Sequence, residues 1–324
     1  MQHPSFLRTV RHVALAAALV VLFSPAQRLS ATHSLRLVFF GDSLSDSGNH
    51  FIAFRDISTR PFQLVPDAPY AVGGLHFTNG ATWAEQVSLR LRTPASGLPS
   101  LLASGAFTNY AVGRARARPL APTFPHFDFA TQVARYRVDF PLGAPEGAVH
   151  LVWIGSNDVS DALTASATDP SGATSMAILQ AALGSVAAGI QGLYQGGARD
   201  FVIVNLPNFA LTPAVRAAGP QAQGAAALFS NAFNTGLGQV VSAVSALPGI
   251  RLRGLDANGV LTGIVANPVS FGLTNVDAAC LTFGVVQNPF CRKPNDYLFW
   301  DGIHPTKAGH AVLATAAVQV LTAP

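Results

Sequence analysis

The sequence predicts an α/β protein built on a parallel β-sheet with helices on both faces, and three observations carry that prediction. Short apolar runs stand at 35–40, 149–154, 201–206 and 250–255, with a weaker one at 108–112. Helix-like stretches lie between them, and a turn-forming Gly, Pro or Asp follows each run: Gly41, Gly113, Gly155, Pro207 and Asp256. Strands buried on both faces read as continuous apolar runs, and a parallel crossover needs a dozen or more residues, which a helix supplies.

Taken in order, LRLVFF at 35–40 is a strand that stops at Gly41, and 82–91 is a helix. The run at 108–112 ends at Gly113, and helix 131–138 leads into strand 149–154, which stops at Gly155. Helices at 175–194 and 222–247 flank strand 201–206, strand 250–255 follows, and helix 307–321 is the last element. The Pro- and Gly-rich stretches 60–74, 94–105 and 118–125 fall between elements and read as long loops. Neither an internal repeat nor a low-complexity linker divides the chain, so 32–324 is expected to be a single domain.

Composition excludes some functions. Hydrophobic residues make up 49% and charged residues 11%, enough apolar surface to fold rather than remain disordered. Of the 20 Lys and Arg, Arg8, Arg11 and Arg28 lie in the first 31 residues, which leaves 17 against 16 acids. A nucleic-acid surface needs clustered cations, and this balance does not supply them.

Arg8 and Arg11 precede the apolar run 13–23, followed by small residues up to Ala26 and Ala31. That is the pattern of a secretory signal peptide over 1–31, with cleavage after Ala26 or Ala31; an uncleaved anchor is the alternative. The expected location is therefore secreted or periplasmic. In an oxidising compartment Cys280 and Cys291 can close a small loop just before FWDGIHPT; two buried thiols are the alternative.

In open parallel sheets, ligands bind outside the carboxyl ends of the strands. Gly41-Asp42-Ser43, Gly113-Arg114 and Gly155-Ser156-Asn157-Asp158 all occupy such positions. Ser43 lies where a strand meets an expected helix start, with backbone N–H groups and the positive end of a helix dipole beside its hydroxyl. It is either a nucleophile or a helix cap. A serine hydroxyl needs a base oriented by a carboxylate, and Asp301 and His304 stand three apart ahead of a helix that Pro305 opens. Taken alone, the pair is also compatible with a surface cap or half a metal site. The remaining histidines show no ligand spacing, so neither a metal nor another cofactor is expected. An oxyanion would find donors in the Ser43 N–H, the Gly113 N–H and the Asn157 amide; a plain turn role is the alternative for Asn157.

FFGDSLSDSGN, NYAVGRA, WIGSND and FWDGIHPT occur in the order and at about the intervals of the sequence blocks of the GDSL, or SGNH, hydrolases, which this chain resembles. FTNGATWAEQV and VNLPNFALTP are similar to secondary signatures of that family. The resemblance implies a three-layer α/β/α sandwich on a flavodoxin-like sheet of about five strands, and ester hydrolysis through an acyl-enzyme on Ser43. It assigns Asp301 and His304 to the triad and Ser43, Gly113 and Asn157 to the oxyanion hole. Asp42, Asp46 and Asn49 would hold the first block in shape. Arg114 departs from the pattern, which often has a second glycine there. Arg114, Arg116 and Arg118 alternate with small residues and read as a solvated edge, with contact to an anionic substrate as the alternative.

The expected substrate is a small-molecule or lipid ester, with transient contact to a lipid surface for the latter. A phospholipase or glycerophospholipid acyltransferase, a carbohydrate acetylesterase and a non-catalytic exported binding protein are the rival readings.

Overall fold

The computed structural model describes residues 35–55, 76–120 and 127–323. The expected leader at 1–31, the loop at 60–74 and most of the loop at 118–125 lie outside the described residues.

Four parallel strands, β1 (Arg36–Gly41), β2 (Ala148–Trp153), β3 (Asp200–Val204) and β4 (Arg251–Leu255), form a sheet in the order β1-β2-β3-β4. The expected fifth strand is present as an extended segment along the free edge of β1. Phe39 N–H donates to the Thr108 carbonyl at 3.0 Å, Tyr110 N–H to that of Phe39 at 2.8 Å, and Val112 N–H to that of Gly41 at 3.1 Å. It does not become a regular strand because the Asn109 side chain binds back onto the loops, donating to the Ser45 carbonyl and accepting from Ala111 N–H. Counted with this segment, the chain steps outward from β1 to one side and then returns to build β2, β3 and β4 on the other. The order therefore reverses between β1 and β2, which is where a doubly wound sheet opens a crevice.

The helices, in chain order, are α1 (Asn49–Phe54), α2 (Trp83–Arg90), α3 (Pro94–Gly97), α4 (Phe129–Asp139), α5 (Ser156–Ser166), α6 (Ala173–Gln195), α7 (Pro213–Ala217), α8 (Pro220–Val244), α9 (Ala257–Ala266) and α10 (Lys307–Thr322). Successive strand residues point to opposite faces. Accordingly Phe39 meets Trp83 of α2 edge to face at 5.5 Å, and its neighbour Phe40 meets Phe129 and Tyr136 of α4. One layer thus holds α2, which packs on α10, and the other holds α4, α6 and α8. The apolar residues of both layers meet the buried strands in one main core.

Several elements differ from the expected set. Helix α5 begins inside the Gly-Ser-Asn-Asp stretch that reads as a turn, α3 lies within the expected loop 94–105, and α9 follows β4 directly. A separate parallel pair, β5 (Asn275–Ala279) and β6 (Tyr297–Phe299), leads into FWDGIHPT and shares a small apolar core with α9.

Candidate active site

Ser43 sits in a single turn at the end of β1. Ser45 and Asp46 N–H both donate to the Asp42 carbonyl at 3.0 Å, and the regular helix α1 begins only at Asn49. The expected helix start at Ser43 is thus corrected: Asp46 diverts its carboxylate to the N–H groups of Gly48, Asn49 and His50, which ends the turn and caps α1 instead. The helix terminus that does face the site is that of α5, with Asn157 in its first turn. Gly155, just before it, has φ of +121°, and a Cβ there would lie 2.3 Å from the Phe233 ring.

The Asp301–His304 pair is built by a tight loop after β6. Trp300 N–H donates to the His304 carbonyl and Thr306 N–H to that of Leu298, both at 2.8 Å, so the chain folds back on itself. Asp301 Oδ1 accepts the N–H groups of Ile303 and His304 at 2.8 and 2.7 Å, while Oδ2 accepts His304 Nδ1–H at 2.7 Å. With the Nδ1 proton fixed by the carboxylate, the neutral ring presents Nε2 as an acceptor, and the Ser43 hydroxyl donates to it at 2.8 Å. Asp301 and His304 are 0% and 2% exposed, so little water competes for these bonds. The Phe77 ring lies 5.3 Å from the His304 imidazole.

Other segments fix this loop from outside. The Cys280–Cys291 disulfide is present, with Cα atoms 4.8 Å apart, and Cys280 and Leu281 N–H donate to the Phe299 and Trp300 carbonyls. Within FTNG, the Thr78 hydroxyl donates to the Pro305 carbonyl at 2.8 Å and Asn79 accepts Lys307 N–H. Directly after the LTP stretch, Ala214 N–H donates to the Gly302 carbonyl at 2.9 Å. The sequence flagged these segments only as secondary signatures; polar residues beside turn formers were the available signal. Thr306 caps α10 by accepting Gly309 N–H, so Pro305 precedes the cap rather than opening the helix.

Of the expected oxyanion donors, the Ser43 N–H has no partner among the described residues. Asn157 commits one amide hydrogen to the Ala115 carbonyl at 2.8 Å, which fixes its rotamer and leaves the second hydrogen for the crevice. Gly113 differs from expectation: its N–H donates to Asp46 Oδ2 at 2.7 Å. A Cβ there would lie 2.1 Å from the Phe77 ring and 3.2 Å from the His50 Cβ, so ring packing explains the glycine as it stands. Asn49 donates to the Asn109 and Ala111 carbonyls, tying the first block to the second.

The arginine stretch is not a solvated edge throughout. Arg116 and Arg118 both pair with Asp161 of α5, and Ala117 N–H donates to the buried Asp158 at 2.7 Å. These bonds lash 116–118 to α5 just after Asn157. Arg114 is exposed, with φ of +66°, which explains why a glycine suits this position. Burial pushes the Asp158 carboxyl up to about 7 despite the N–H groups of Ala117 and Arg118 and the Arg118 charge.

Asp42, next to Ser43 in the chain, is fully buried, with Leu44 N–H on its Oδ1 at 3.0 Å. Burial raises its carboxyl to about 6, against the opposing effects of Leu44 N–H, Ser156 and the nearby His304. The folded chain therefore holds this proton more tightly than the unfolded chain. Its contribution to stability is complete below the unfolded value near 4 and is lost as pH rises through about 6. The loss is about 3 kcal/mol for two pK units. Asp42→Asn keeps an acceptor for Leu44 N–H and has no proton to lose. Urea midpoints of the two proteins at pH 4 and pH 8 are expected to diverge in the variant's favour as pH rises. Equal pH profiles would refute the assignment.

The model of the family described as GDSL-like Lipase/Acylhydrolase matches residues 37–317. A protein of the trpE-trpG intergenic region of Pseudomonas putida is 28% identical over 89% of this chain and 48% of its own length. The chain thus spans about half of that relative. An acetylesterase of Thermothelomyces thermophilus is 28% identical over 81% of this chain and 82% of its own. An acetylxylan esterase structure from Geobacillus stearothermophilus superposes with a TM-score of 0.46 and 13% identity, over 90% of this chain and 95% of that one. With the family model covering nearly all of the described fold, from β1 into α10, this chain belongs to the GDSL-like lipase/acylhydrolase family.

Proposed function

We propose that this chain is a secreted, cofactor-free serine hydrolase of carboxylic esters that works through an acyl-enzyme on Ser43. The observation that carries the reading is the unbroken relay from the Ser43 hydroxyl to His304 Nε2 at 2.8 Å and from His304 Nδ1 to Asp301 at 2.7 Å. In the first step Ser43 Oγ attacks the acyl carbon while its proton passes to His304 Nε2. Asp301 does not take the proton; it holds the ring and stabilises the imidazolium. The tetrahedral oxyanion is received by the Ser43 N–H and the second amide hydrogen of Asn157, and the loss of one such donor typically costs about 2.7–4 kcal/mol. Gly113 supports the hole by fastening its strand end to Asp46, where its own N–H is engaged.

As the tetrahedral species collapses, His304 returns the proton to the departing alkoxide, which leaves as an alcohol. Water then attacks the acyl-Ser43 carbonyl with His304 as base, and the free acid departs. The Cys280–Cys291 bridge supports maturation outside a reducing cytoplasm, in line with the leader read at 1–31.

The test is covalent. A fluorophosphonate probe is expected to label the mature protein on the peptide carrying Ser43, stoichiometrically, and to leave Ser43→Ala unlabelled. Labelling elsewhere, or none on folded wild-type protein, rejects the mechanism and leaves the binding-protein reading in its place.

A further inference from the structure

Three helices each turn one stripe toward a single cavity of about 100 Å³ that has Ser43, Asn157 and His304 in its wall. On α9 the stripe is Ala257, Val260, Leu261 and Ile264, the i, i+3, i+4, i+7 spacing of one helical face. Val159 and Leu163 face it from α5, and Leu313 from α10. Of the buried polar residues in the lining, Ser156 stands next to Asn157 beside the reacting groups, and Thr212 donates its hydroxyl to the Phe209 carbonyl at 2.7 Å, so it offers no donor to a guest. Away from the reacting groups, the cavity is therefore apolar.

We propose that this cavity is an acyl-chain site that selects butanoyl to hexanoyl esters over acetyl esters. The assignment rests on the reading of Ser43 as nucleophile. An apolar recess beside Ser43 suits the acyl part of the ester, which stays on the serine after the alcohol departs. An acetyl methyl group would leave most of the space empty and its walls without contacts. A cavity of about 150 Å³ with similar walls takes a benzene ring, so this one accommodates roughly four carbons beyond the carbonyl. Each methylene moved from water into such walls is worth about fourfold, and part of that gain is lost where the fit is imperfect.

The experiment compares kcat/KM for p-nitrophenyl acetate, butanoate, hexanoate and dodecanoate, with the alcohol held constant, and repeats the comparison for acetates of alcohols of increasing length. The mature protein is expected to prefer hexanoate over acetate by roughly 100-fold and to lose that gain at dodecanoate. The alcohol series is expected to be nearly flat. Val260→Trp, at a half-buried position in the cavity wall, should lower the hexanoate-to-acetate ratio at least tenfold. Ile264→Ala should move the optimum toward longer acids. A flat acyl series with activity throughout, a length dependence confined to the alcohol, or an unchanged ratio in both folded variants overturns the acyl site and leaves the hydrolase intact. A protein inert toward every ester overturns both.

Discussion

Ser43→Ala is expected to lower kcat for a chromogenic short-chain ester by on the order of a million-fold, and His304→Ala by nearly as much. The double variant should be hardly worse than either. The reason is the single relay in the structure: Nε2 has one hydroxyl in reach, and without a base that hydroxyl keeps its proton. Both side chains can be shortened without removing a capping bond, because the loop at 300–305 is closed by backbone N–H groups and by Asp301 rather than by the imidazole. Stopped assays at high enzyme concentration, with the melting transition followed in parallel, check the prediction. A Ser43→Ala protein retaining a tenth of wild-type activity ends the acyl-enzyme account.

The second large effect concerns the carboxylate. Asp301→Asn is expected to cost about 10⁴-fold in kcat with little change in KM. The amide oxygen of the asparagine can still accept the Ile303 and His304 N–H groups, so the loop keeps its shape. Its NH2 would then face Nδ1, pushing the ring proton to Nε2, where it blocks acceptance of the Ser43 proton. Kinetics together with a thermal unfolding curve separate this from collapse of the loop. Parallel losses of activity and of folded protein would contradict the tautomer argument.

Much of this was legible in the sequence because a parallel sheet collects its loops at one edge. Once LRLVFF, VHLVWI and the run at 108–112 were read as strands, Ser43, Asn157 and Gly113 had to gather there. The His–Asp pair was legible because an aspartate can bind both the backbone and the ring of a histidine three residues on. What stayed hidden depends on contacts between distant residues. Gly-Ser-Asn-Asp opens a helix rather than a turn because its backbone is committed by Phe233 behind Gly155 and by 115–118 beside Asp158. The same stretch of sequence suits either outcome. β5 and β6 are five and three residues long, too short for a periodic signal. The use of the Gly113 N–H by Asp46, across 67 residues, has no local signature at all.

Ser43 and His304 are 261 residues apart in the chain. A ribosome therefore delivers the serine long before the histidine, and a polypeptide still under synthesis carries an ordinary, unreactive alcohol at that position. The two side chains meet only once the stretch after β5 lies against the end of β1, so a shorter chain would hold Ser43 without the imidazole.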